Sequence, residues 1–307
     1  MSRTVMRERL SPYLRKVERA FPELSAPAAV TRADVAGYYN RSFWGYAAFH
    51  SWGGAIHMAL GDGSFKPGDF RAQAQELLEL LREPGSGGRV CELGCGRGFN
   101  LGVLAETLPQ IEFVGVDLSE RNLAAARRRF GKLSNLHFIA EDFHSLSSLQ
   151  DRRFDLVFAV ESLCHSDDQG RVFHALADLI AAGGKLVVYD GVRSDEPPAS
   201  EELARAARYV EYAMAVPGFP AQAEMTSAAR AAGFELEDVK DRSDEIMPTL
   251  MRLNKLARAY FKLPPLTRLI NGLLPRELVR NAVAGLLMPI TVQAGAHRYL
   301  RMQLVRR

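Results

Sequence analysis

The sequence predicts an α/β fold in which helices cover both faces of a mainly parallel β-sheet. Apolar runs recur along the chain, helical patterns separate them, and each run ends in glycine or a polar residue. The run from Phe154 to Val160 is almost continuously apolar, as is typical of a strand buried on both faces. Five such strands alternating with helices favour a doubly wound sheet.

The first strand, turn and helix lie within residues 89–117. An apolar run breaks at Glu92, a helical pattern begins near Asn100, and a second apolar run ends at Asp117. The turn contains three glycines, Gly94, Gly96 and Gly98. Glycines allow a sharp turn and let a ligand lie against bare backbone near a helix N-terminus. Because an acid in the position of Asp117 can accept hydrogen bonds from both ribose hydroxyls, the unit predicts a nucleoside site.

The spacing of the glycines argues against a dinucleotide. That site needs Gly-x-Gly-x-x-Gly, whereas here the third glycine is Gly98 and Phe99 follows it. The segment Glu92-Leu-Gly-Cys-Gly-Arg-Gly98 instead resembles the Glu/Asp-x-Gly-x-Gly-x-Gly motif of class I S-adenosylmethionine-dependent methyltransferases. The resemblance implies a Rossmann-like seven-stranded methyltransferase sheet with helical lid additions, and S-adenosyl-L-methionine as cofactor. The alternative is a glycine turn in another kind of α/β protein.

The resemblance also implies roles for individual residues. In this family the glycine loop passes the methionine moiety and the ribose, and the acid at Asp117 holds the ribose hydroxyls. The acid after the third strand, Asp142, would contact the adenine amino group, and Phe143 would pack on the ring; an ordinary loop acid is the alternative for Asp142. The expected cofactor-binding residues are Glu92, Gly94, Gly96, Gly98, Asn100, Asp117, Leu118, Asp142, Phe143 and Glu161.

The other elements follow from periodicity and from caps and breakers. Helices are predicted at Val5 to Glu23, Phe70 to Arg82, Ser119 to Phe130, 168 to 181, Glu201 to Val216 and 222 to 232. Strands are predicted at Leu136 to Ala140, Phe154 to Val160, 183 to 190, 233 to 240 and 297 to 305. Residues 244–295 read as further helix, broken at Pro264-Pro265 and Pro275.

These elements suggest four parts of the chain. Residues 1–84 form an N-terminal helical lid and substrate segment, and residues 85–243 form the S-adenosylmethionine-binding core. Residues 244–295 are a basic helical insertion, and residues 296–307 supply the final core strand.

An aromatic-rich segment precedes the core. Tyr38-Tyr39-Asn40, Trp52-Gly53, His57 and Gly61 resemble the Tyr-Tyr-Asp … Trp-Gly … His-x-Gly stretch of the sterol and tocopherol methyltransferase branch. The sequence departs from it by Asn40 in place of Asp and by three residues between His57 and Gly61. The aromatics either pack helices together or line a substrate cavity where their faces could stabilise a cation. The expected substrate-binding residues are Tyr38, Trp44, Trp52 and Tyr212.

Catalytic candidates lie at the end of the fourth strand, where open α/β sheets bind ligands. His165 is the first choice as a base, with His57 as a second; Glu161 could supply a carboxylate and Tyr39 an aromatic ring. His165 could instead cap the helix that begins near Ser166, and His57 could simply be a packed ring. We expect C-methylation of a hydrophobic, isoprenoid or lipid-like molecule. O- or N-methylation of a natural-product small molecule, and a non-catalytic cofactor-binding subunit, are the alternatives.

Composition and cysteine spacing limit the class of protein, its location and its binding partners. Apolar residues make up 47% of the chain and charged residues 24%, which predicts a soluble globular protein. No signal peptide or spanning apolar run is visible, and the three cysteines form neither disulfide nor zinc spacing, so a cytoplasmic protein without a bound metal is expected. Homo-oligomerisation, and Mg²⁺ assistance for a phosphorylated substrate, are left open.

The charge is unevenly distributed. The net charge is +3, but residues 251–307 contain eleven Lys or Arg and one acid, Glu277. Apolar stripes beside these basic residues favour peripheral contact with an anionic membrane surface, and a solvated basic face is the alternative. Nucleic-acid methylation is disfavoured, because Glu-Ser-Leu-Cys-His follows the fourth strand where an Asn/Asp-Pro-Pro-aromatic motif would be expected.

Overall fold

The computed structural model describes residues 10–25, 30–31, 34–35, 37–38, 41, 53–83 and 88–307. Its centre is one seven-stranded sheet in the order β3-β2-β1-β4-β5-β7-β6. The strands are β1 (Arg89–Leu93), β2 (Glu112–Asp117), β3 (Leu136–Ala140), β4 (Phe154–Val160), β5 (Ile180–Arg193), β6 (Phe234–Asp241) and β7 (His297–Arg306). Strands β1 to β5 pair in parallel, and β7 lies antiparallel between β5 and β6.

This sheet confirms the fold class predicted from the sequence. The central strands are apolar along nearly their whole length because helices cover both faces. All strand bounds lie within two residues of the predicted ones except those of β5, which begins three residues earlier at Ile180 and ends three residues later at Arg193. The parallel strands end at one edge, next to the start of β7, so this edge collects side chains from distant parts of the chain.

The helices form two layers. They are α1 (Leu10–Ala20), α2 (Ala72–Leu81), α3 (Phe99–Thr107), α4 (Glu120–Phe130), α5 (Gln169–Leu179), α6 (Glu201–Ala213), α7 (Gln222–Ala231), α8 (Ser243–Tyr260), α9 (Pro264–Leu273) and α10 (Arg276–Gln293). Helices α5 and α7 supply buried side chains to one core cluster, and the other helices that reach a core supply theirs to the cluster on the opposite face.

Three of the predicted helices have different bounds. The helix expected from Val5 is described from Leu10, and residues 1–9 lie outside the described chain. The chain at Pro67–Arg71 forms a 3₁₀ turn before α2, because the Asp69 carboxylate accepts a hydrogen bond from the Lys66 amide at 2.9 Å. Helix α6 ends at Ala213, and Ala215 has a φ of 55°, which turns its carbonyl toward the functional site.

Helices α8 to α10 lie between β6 and β7, with breaks at the predicted prolines. Pro264 begins α9, where its missing amide hydrogen costs nothing, and Pro275 precedes α10. The buried Asn254 side chain donates hydrogen bonds to the carbonyls of Gly285 and Leu286, at 2.9 and 3.1 Å. These bonds join α8 to α10. Within the described ranges, none of the helices combines the length and the apolar character required to span a bilayer.

Leu104 tests the packing of α3 on the sheet. Its side chain is fully buried, so Leu104→Ala should lower the free energy of unfolding by about 2–5 kcal/mol through lost burial and a new cavity. Urea denaturation followed by circular dichroism measures the loss. Glu106→Ala, at an exposed position of the same helix, is the matched control and should change the unfolding free energy by less than about 0.5 kcal/mol. Equal stability of the two variants would contradict the packing described here.

Candidate functional site

The glycine turn after β1 requires its glycines. Gly94, Gly96 and Gly98 have φ values of 66°, 53° and 70°, a region that side chains disfavour. A Cβ atom on Gly94 would lie 2.3 Å from Cβ of Ser162, and one on Gly96 would lie 2.6 Å from a methyl carbon of Ile56. The turn therefore passes close beneath the end of β4 and the loop before the core, and it presents backbone to the cavity between them.

Glu92 and Asn100 form a buried polar pair beside this turn. The Asn100 amide donates to Glu92 Oε1 at 3.1 Å. Among the described residues, Glu92 Oε2 and Asn100 Oδ1 have no hydrogen-bond partner. Burial raises the pKa of Glu92 to about 8, and the bond from Asn100 opposes the rise. Two unpaired buried acceptor oxygens suit a cationic or hydrogen-bond-donating ligand group.

Asp117 ends β2 and faces the glycine turn. Its carboxylate accepts backbone hydrogen bonds from Gly96 at 2.8 Å and from Ser119 at 2.7 Å. Burial raises the pKa of Asp117, and these two bonds lower it. Each carboxylate oxygen keeps further acceptor capacity, so both could also receive hydroxyl groups. Leu118, the next residue, is 42% exposed at the rim.

The segment after β3 forms the far end of the cavity. Phe143 and His144 line it. The Asp142 carboxylate accepts a hydrogen bond from the His144 amide at 2.9 Å, and the same oxygen lies 2.5 Å from Nδ1 of the His144 ring. His144 Nε2 lies 2.9 Å from the Ser166 hydroxyl. Asp142 thus orients His144, and it is not among the lining residues. His144 itself carried no role in the sequence analysis.

These groups surround one cavity at the carboxyl ends of β1, β2 and β4. We call it the donor cavity, and its volume is about 80 Å³. Its lining is Val35, Gly54, Ile56, His57, Glu92, Gly94, Cys95, Arg97, Phe99, Asn100, Asp117, Leu118, Ser119, Asn122, Phe143, His144, Val160, Glu161, Ser162 and His165. Seven of the ten expected cofactor-binding residues are therefore in the lining, and Gly96, Gly98 and Asp142 lie next to it.

Glu161 lies directly after β4 in a strained conformation. Its φ of 51° is rare for a residue with a side chain. The carboxylate accepts hydrogen bonds from the Met58 amide at 2.6 Å and from the Tyr299 hydroxyl at 3.0 Å. Burial and the nearby Asp190 raise the pKa of Glu161 to about 8, against the effect of these bonds. Such strain persists where surrounding contacts determine the conformation, and it marks functional sites.

His165 lies one short turn beyond Glu161 and is buried. Its Nδ1 is 3.0 Å from the Ala215 carbonyl, which can only accept, so Nδ1 carries the hydrogen and Nε2 keeps the lone pair. Burial lowers the pKa of His165 to about 4, and the bond to Ala215 opposes this shift. His165 is therefore a neutral ring at physiological pH, oriented by a residue far along the chain.

His57 lies on the opposite wall of the donor cavity. Its Nε2 is 3.1 Å from the Phe70 carbonyl, and its ring packs edge-on against Phe70 and near Phe99. His57 is thus a buried and oriented ring, and it does not reach the second cavity described next.

The second cavity, which we call the acceptor cavity, has a volume of about 400 Å³. Helices α8, α9 and α10 supply most of its wall. The lining is Ile56, Met58, Glu161, Cys164, His165, Asp190, Gly191, Met214, Phe219, Ile246, Leu250, Leu253, Leu256, Ala257, Tyr260, Ile270, Leu274, Leu278, Val279, Asn281, Ala282, Ala284, Gly285, Met288 and Tyr299. Ile56, Glu161 and His165 belong to both cavities, so the cavities meet at these side chains.

The aromatic residues expected at the site, Tyr39 as a catalytic candidate and the others as substrate-binding residues, have different positions. Tyr39, Trp44 and Trp52 lie outside the described residues. Tyr38 is buried and donates to the Asn281 side chain, which lines the acceptor cavity. Tyr212 lies outside both sets of lining residues, with the Arg280 guanidinium 4.9 Å from the centre of its ring.

Sequence reasoning missed two polar residues of the acceptor cavity. Asp190 ends the parallel part of β5 and accepts backbone bonds from Cys164 and Gly191, and burial raises its pKa to about 6. The rule that favoured Glu161, a polar residue at the carboxyl end of a parallel strand, could have found it. Tyr299 had no such signal, because it reaches the site only through the antiparallel pairing of β7 with β5, opposite Gly191.

The fold and the acid-and-glycine cavity define a class I methyltransferase. The family described as a methyltransferase domain matches residues 84–248, more than half of the chain, and the protein belongs to it. It is an S-adenosylmethionine-dependent methyltransferase, and membership in this family implies use of that donor.

Relatives within the family act on different acceptors. The chain is 27% identical over 203 residues to an O-methyltransferase, cnsE, of Penicillium expansum, covering 64% of this chain and 71% of the relative. It is 26% identical over 265 residues to 24-methylenesterol C-methyltransferase 2 of Oryza sativa subsp. japonica, covering 81% and 69%. The cyclopropane synthase MmaA2 of Mycobacterium tuberculosis shares the fold, with a TM-score of 0.72 at 15% identity over 91% of this chain and 100% of that one. These relatives leave the methylated atom open.

The raised pKa of Glu161 predicts a pH-dependent stability. The folded carboxyl keeps its proton up to about pH 8, whereas the unfolded carboxyl releases it near pH 4.5. The contribution of this carboxyl to the free energy of unfolding therefore falls as pH rises from about 4.5 to about 8, by up to about 1.4 kcal/mol per pH unit. His165 has the opposite effect, but only below its unfolded pKa of 6.5.

Urea denaturation between about pH 6.5 and about pH 8 isolates the carboxyl contribution. The wild type should lose stability across this window, and Glu161→Gln should lose less of it, with Glu92 accounting for part of the remainder. Glu106→Gln, at an exposed position, should follow the wild type. A wild-type curve that is flat or rises with pH would contradict the assigned burial.

Proposed function

We propose that this protein transfers a methyl group from S-adenosylmethionine to a carbon atom of a hydrophobic, isoprenoid or lipid-like acceptor. One observation carries the proposal. The donor cavity, with its acid and glycine lining, meets a larger, mostly aliphatic cavity at Glu161 and His165. A donor in the first cavity and an acceptor in the second would touch where the carboxyl and the imidazole lie.

The donor cavity fits the charge of the cofactor's amino-acid end. Glu92 and Asn100 offer two buried oxygens without partners among the described residues, and an ammonium group supplies the hydrogens that they lack. A positive charge beside Glu92 would also lower the pKa of its carboxyl and keep it ionised. These two residues would hold the methionine moiety.

The rest of the donor cavity fits a nucleoside. Asp117 would accept from the ribose hydroxyls while Gly96 and Ser119 orient its carboxylate. Phe143 would pack on the adenine, and His144 is presented there by its bonds to Asp142 and Ser166. The glycine turn allows close approach because its residues carry no Cβ.

The acceptor cavity favours an apolar molecule. Leu, Ile, Val, Met and Ala side chains of α8 to α10 form most of its wall, and each contributes through removal of apolar surface from water. Glu161, which accepts from Tyr299, and His165 lie where this cavity meets the donor cavity, and Asp190 lines it as well. The Tyr260 and Asn281 side chains also line it and are hydrogen-bonded to Asn271 and Tyr38. A long apolar acceptor would thus be oriented with one end toward the donor.

The chemistry that the bound donor supplies is a methyl group already activated on a sulfonium. The protein then contributes alignment and exclusion of water. At an alkene acceptor, a carbon–methyl bond forms as the sulfur–methyl bond breaks, and a positive charge develops on the neighbouring carbon of the acceptor. Glu161, ionised once a cation lies beside it, would stabilise that charge, with Asp190 close by. His165 Nε2 would take the proton whose loss restores the double bond.

O-methylation of a small molecule is the second candidate. His165 is neutral, and the bond of its Nδ1 to Ala215 makes Nε2 the basic nitrogen, which suits removal of a proton from a hydroxyl acceptor. The Penicillium relative is named an O-methyltransferase, whereas the rice relative, which aligns with more of the chain, is named a sterol C-methyltransferase. The breadth of the apolar wall and the carboxyls at the junction favour the carbon acceptor.

The role of Glu92 is tested by cofactor binding alone. Glu92→Gln removes the charge that would pair with the ammonium, so the affinity for S-adenosylhomocysteine should fall about 10- to 100-fold, the range of a lost charged hydrogen bond. Isothermal titration calorimetry measures the dissociation constant without any acceptor. Glu106→Gln, on the same helix as Asn100 but exposed, should bind like the wild type. Unchanged affinity of Glu92→Gln would remove this assignment.

The methylated atom is tested by mass spectrometry of products. The protein is incubated with methyl-labelled S-adenosylmethionine and a panel of prenyl diphosphates, sterols, quinones, fatty acids and phenolics. We expect label on carbon of an alkene acceptor. Label only on oxygen or nitrogen would reject C-methylation and support the second candidate.

A cavity-filling variant connects that product to the acceptor cavity. Ala282 lies half-buried in the wall contributed by α10. Ala282→Trp should reduce turnover of the preferred acceptor by about tenfold or more, since the added ring occupies space that the acceptor needs. Binding of S-adenosylhomocysteine should be unchanged, and Ala282→Ser should behave like the wild type. Full turnover by Ala282→Trp would place the acceptor elsewhere.

A further inference from the structure

Helix α9 and its two flanking residues carry an exposed apolar surface. We call it the leucine face; its members are Leu263, Leu266, Leu269, Leu273 and Leu274. Leu273 is 73% exposed and Leu269 is 58% exposed. Among the described residues, five of the eight large hydrophobic side chains classed as exposed fall within these twelve positions. Such clustering differs from the scattered exposed leucines of an ordinary surface.

The leucine face has helical spacing. Leu263, Leu266 and Leu273 recur at intervals of three and seven residues, which places them on one side of the helix. Thr267 is the only fully buried residue of α9, and its hydroxyl donates to the Tyr260 carbonyl at 2.6 Å. Helix α9 therefore packs on the protein through Thr267 and Ile270 and turns its leucines outward.

The leucine face is continuous with the acceptor cavity. Leu274 is 43% exposed and also lines that cavity, and Leu256 of α8, 46% exposed, does the same. The half-buried Ile270 of α9 lines the cavity between them along the chain. The mouth of the cavity thus opens within an apolar surface.

Basic residues accompany these leucines. Residues 251–293 contain seven Lys or Arg and one acid, Glu277. Lys255, Lys262, Arg268 and Arg276 are exposed and lie within three positions of an exposed leucine. The carboxylate of Glu277 is 3.0 Å from the Arg41 guanidinium, and that of Glu23 is 3.8 Å from the Arg276 guanidinium, so neither is paired with Lys255, Lys262 or Arg268. The surface combines apolar area with positive charge.

We propose that the leucine face docks on an anionic lipid bilayer and that the acceptor enters its cavity from that membrane. A short amphipathic helix with basic neighbours is suited to lie in the plane of the interface, with leucines among the acyl chains and cations at the headgroups. The docking stands on the surface alone, while the entry of the acceptor rests on the proposed function.

A second copy of this chain is the other occupant that such a face could have. A symmetric dimer would bring the same patch against itself and would oppose its own basic residues. Anionic headgroups instead complement them, which is why we commit to the bilayer.

Vesicle flotation tests the docking with the full chain. Vesicles of phosphatidylcholine alone are compared with vesicles that also contain phosphatidylglycerol. The protein should float with the anionic vesicles at least about tenfold more strongly, and the difference should shrink between about 0.1 M and about 0.5 M NaCl through screening.

Paired variants separate the apolar and charged contributions. Leu269→Ser combined with Leu273→Ser should lower partitioning about tenfold or more, since two exposed leucines no longer enter the bilayer. Lys262→Gln combined with Arg268→Gln should lower binding to anionic vesicles by about tenfold and leave binding to neutral vesicles unchanged. Arg128→Gln combined with Lys132→Gln, exposed basic residues at α4 on another surface, should stay within about twofold of the wild type.

Each outcome decides between the alternatives. No flotation by the wild type, or equal flotation by the leucine variant, would overturn the proposal. If the wild type is a dimer by light scattering and does not float, and the leucine variant is a monomer, a second copy covers the face. If the leucine variant loses flotation but keeps full turnover of detergent-dissolved acceptor, the docking and the catalytic function are supported separately. Flotation without any methylated product would retain the docking and reject the proposed function.

Discussion

The site depends on the hydrogen bonds that the Glu161 carboxylate accepts. This carboxylate accepts hydrogen bonds from the Met58 amide, in the loop before the core, and from the Tyr299 hydroxyl, in the last strand. The residue itself lies at the end of β4 with a φ of 51°. A buried carboxyl without donors is costly, so these two bonds require three distant segments to meet at one point. The boundary between the two cavities is built on that meeting.

The ionisable groups at and near this boundary have surroundings of low polarity. Burial raises the pKa values of Glu161, Glu92 and Asp190 and lowers that of His165. All four shifts favour the uncharged form, as expected where water is largely excluded. Such a site responds strongly to an incoming cation, because electrostatic attraction is less screened than in water. This environment suits a reaction in which a methyl group is transferred from a positively charged sulfonium.

Local patterns located residues that surround the donor cavity. The acid-and-glycine turn, the acid after β2 and the residues after β3 are read from short segments, and they come together because the neighbouring strands that carry them end at one edge. Phe143 and Asp117 line the donor cavity accordingly. His144 was missed since its position depends on bonds to Asp142 and Ser166, the second of which is 22 residues away.

The acceptor side could not be read in the same way. Among the described residues, most of the aliphatic wall comes from α8 to α10, which the sequence analysis recognised only as a basic helical insertion. Trp44 and Trp52 of the aromatic segment before the core lie outside the described residues, so their expected role stays a prediction. Tyr299 and the Ala215 carbonyl reach the site through pairing and chain reversal, which leave no periodic signal.

By itself, then, the sequence determined the seven-stranded sheet and the class of enzyme, because apolar periodicity and glycine spacing act over a few residues at a time. Tertiary structure alone decided which side chains meet at Glu161, how His165 is oriented and where the acceptor cavity opens. These depend on packing between segments that are distant along the chain, such as Glu161 and Tyr299, which are 138 residues apart, and His165 and Ala215, which are 50 residues apart.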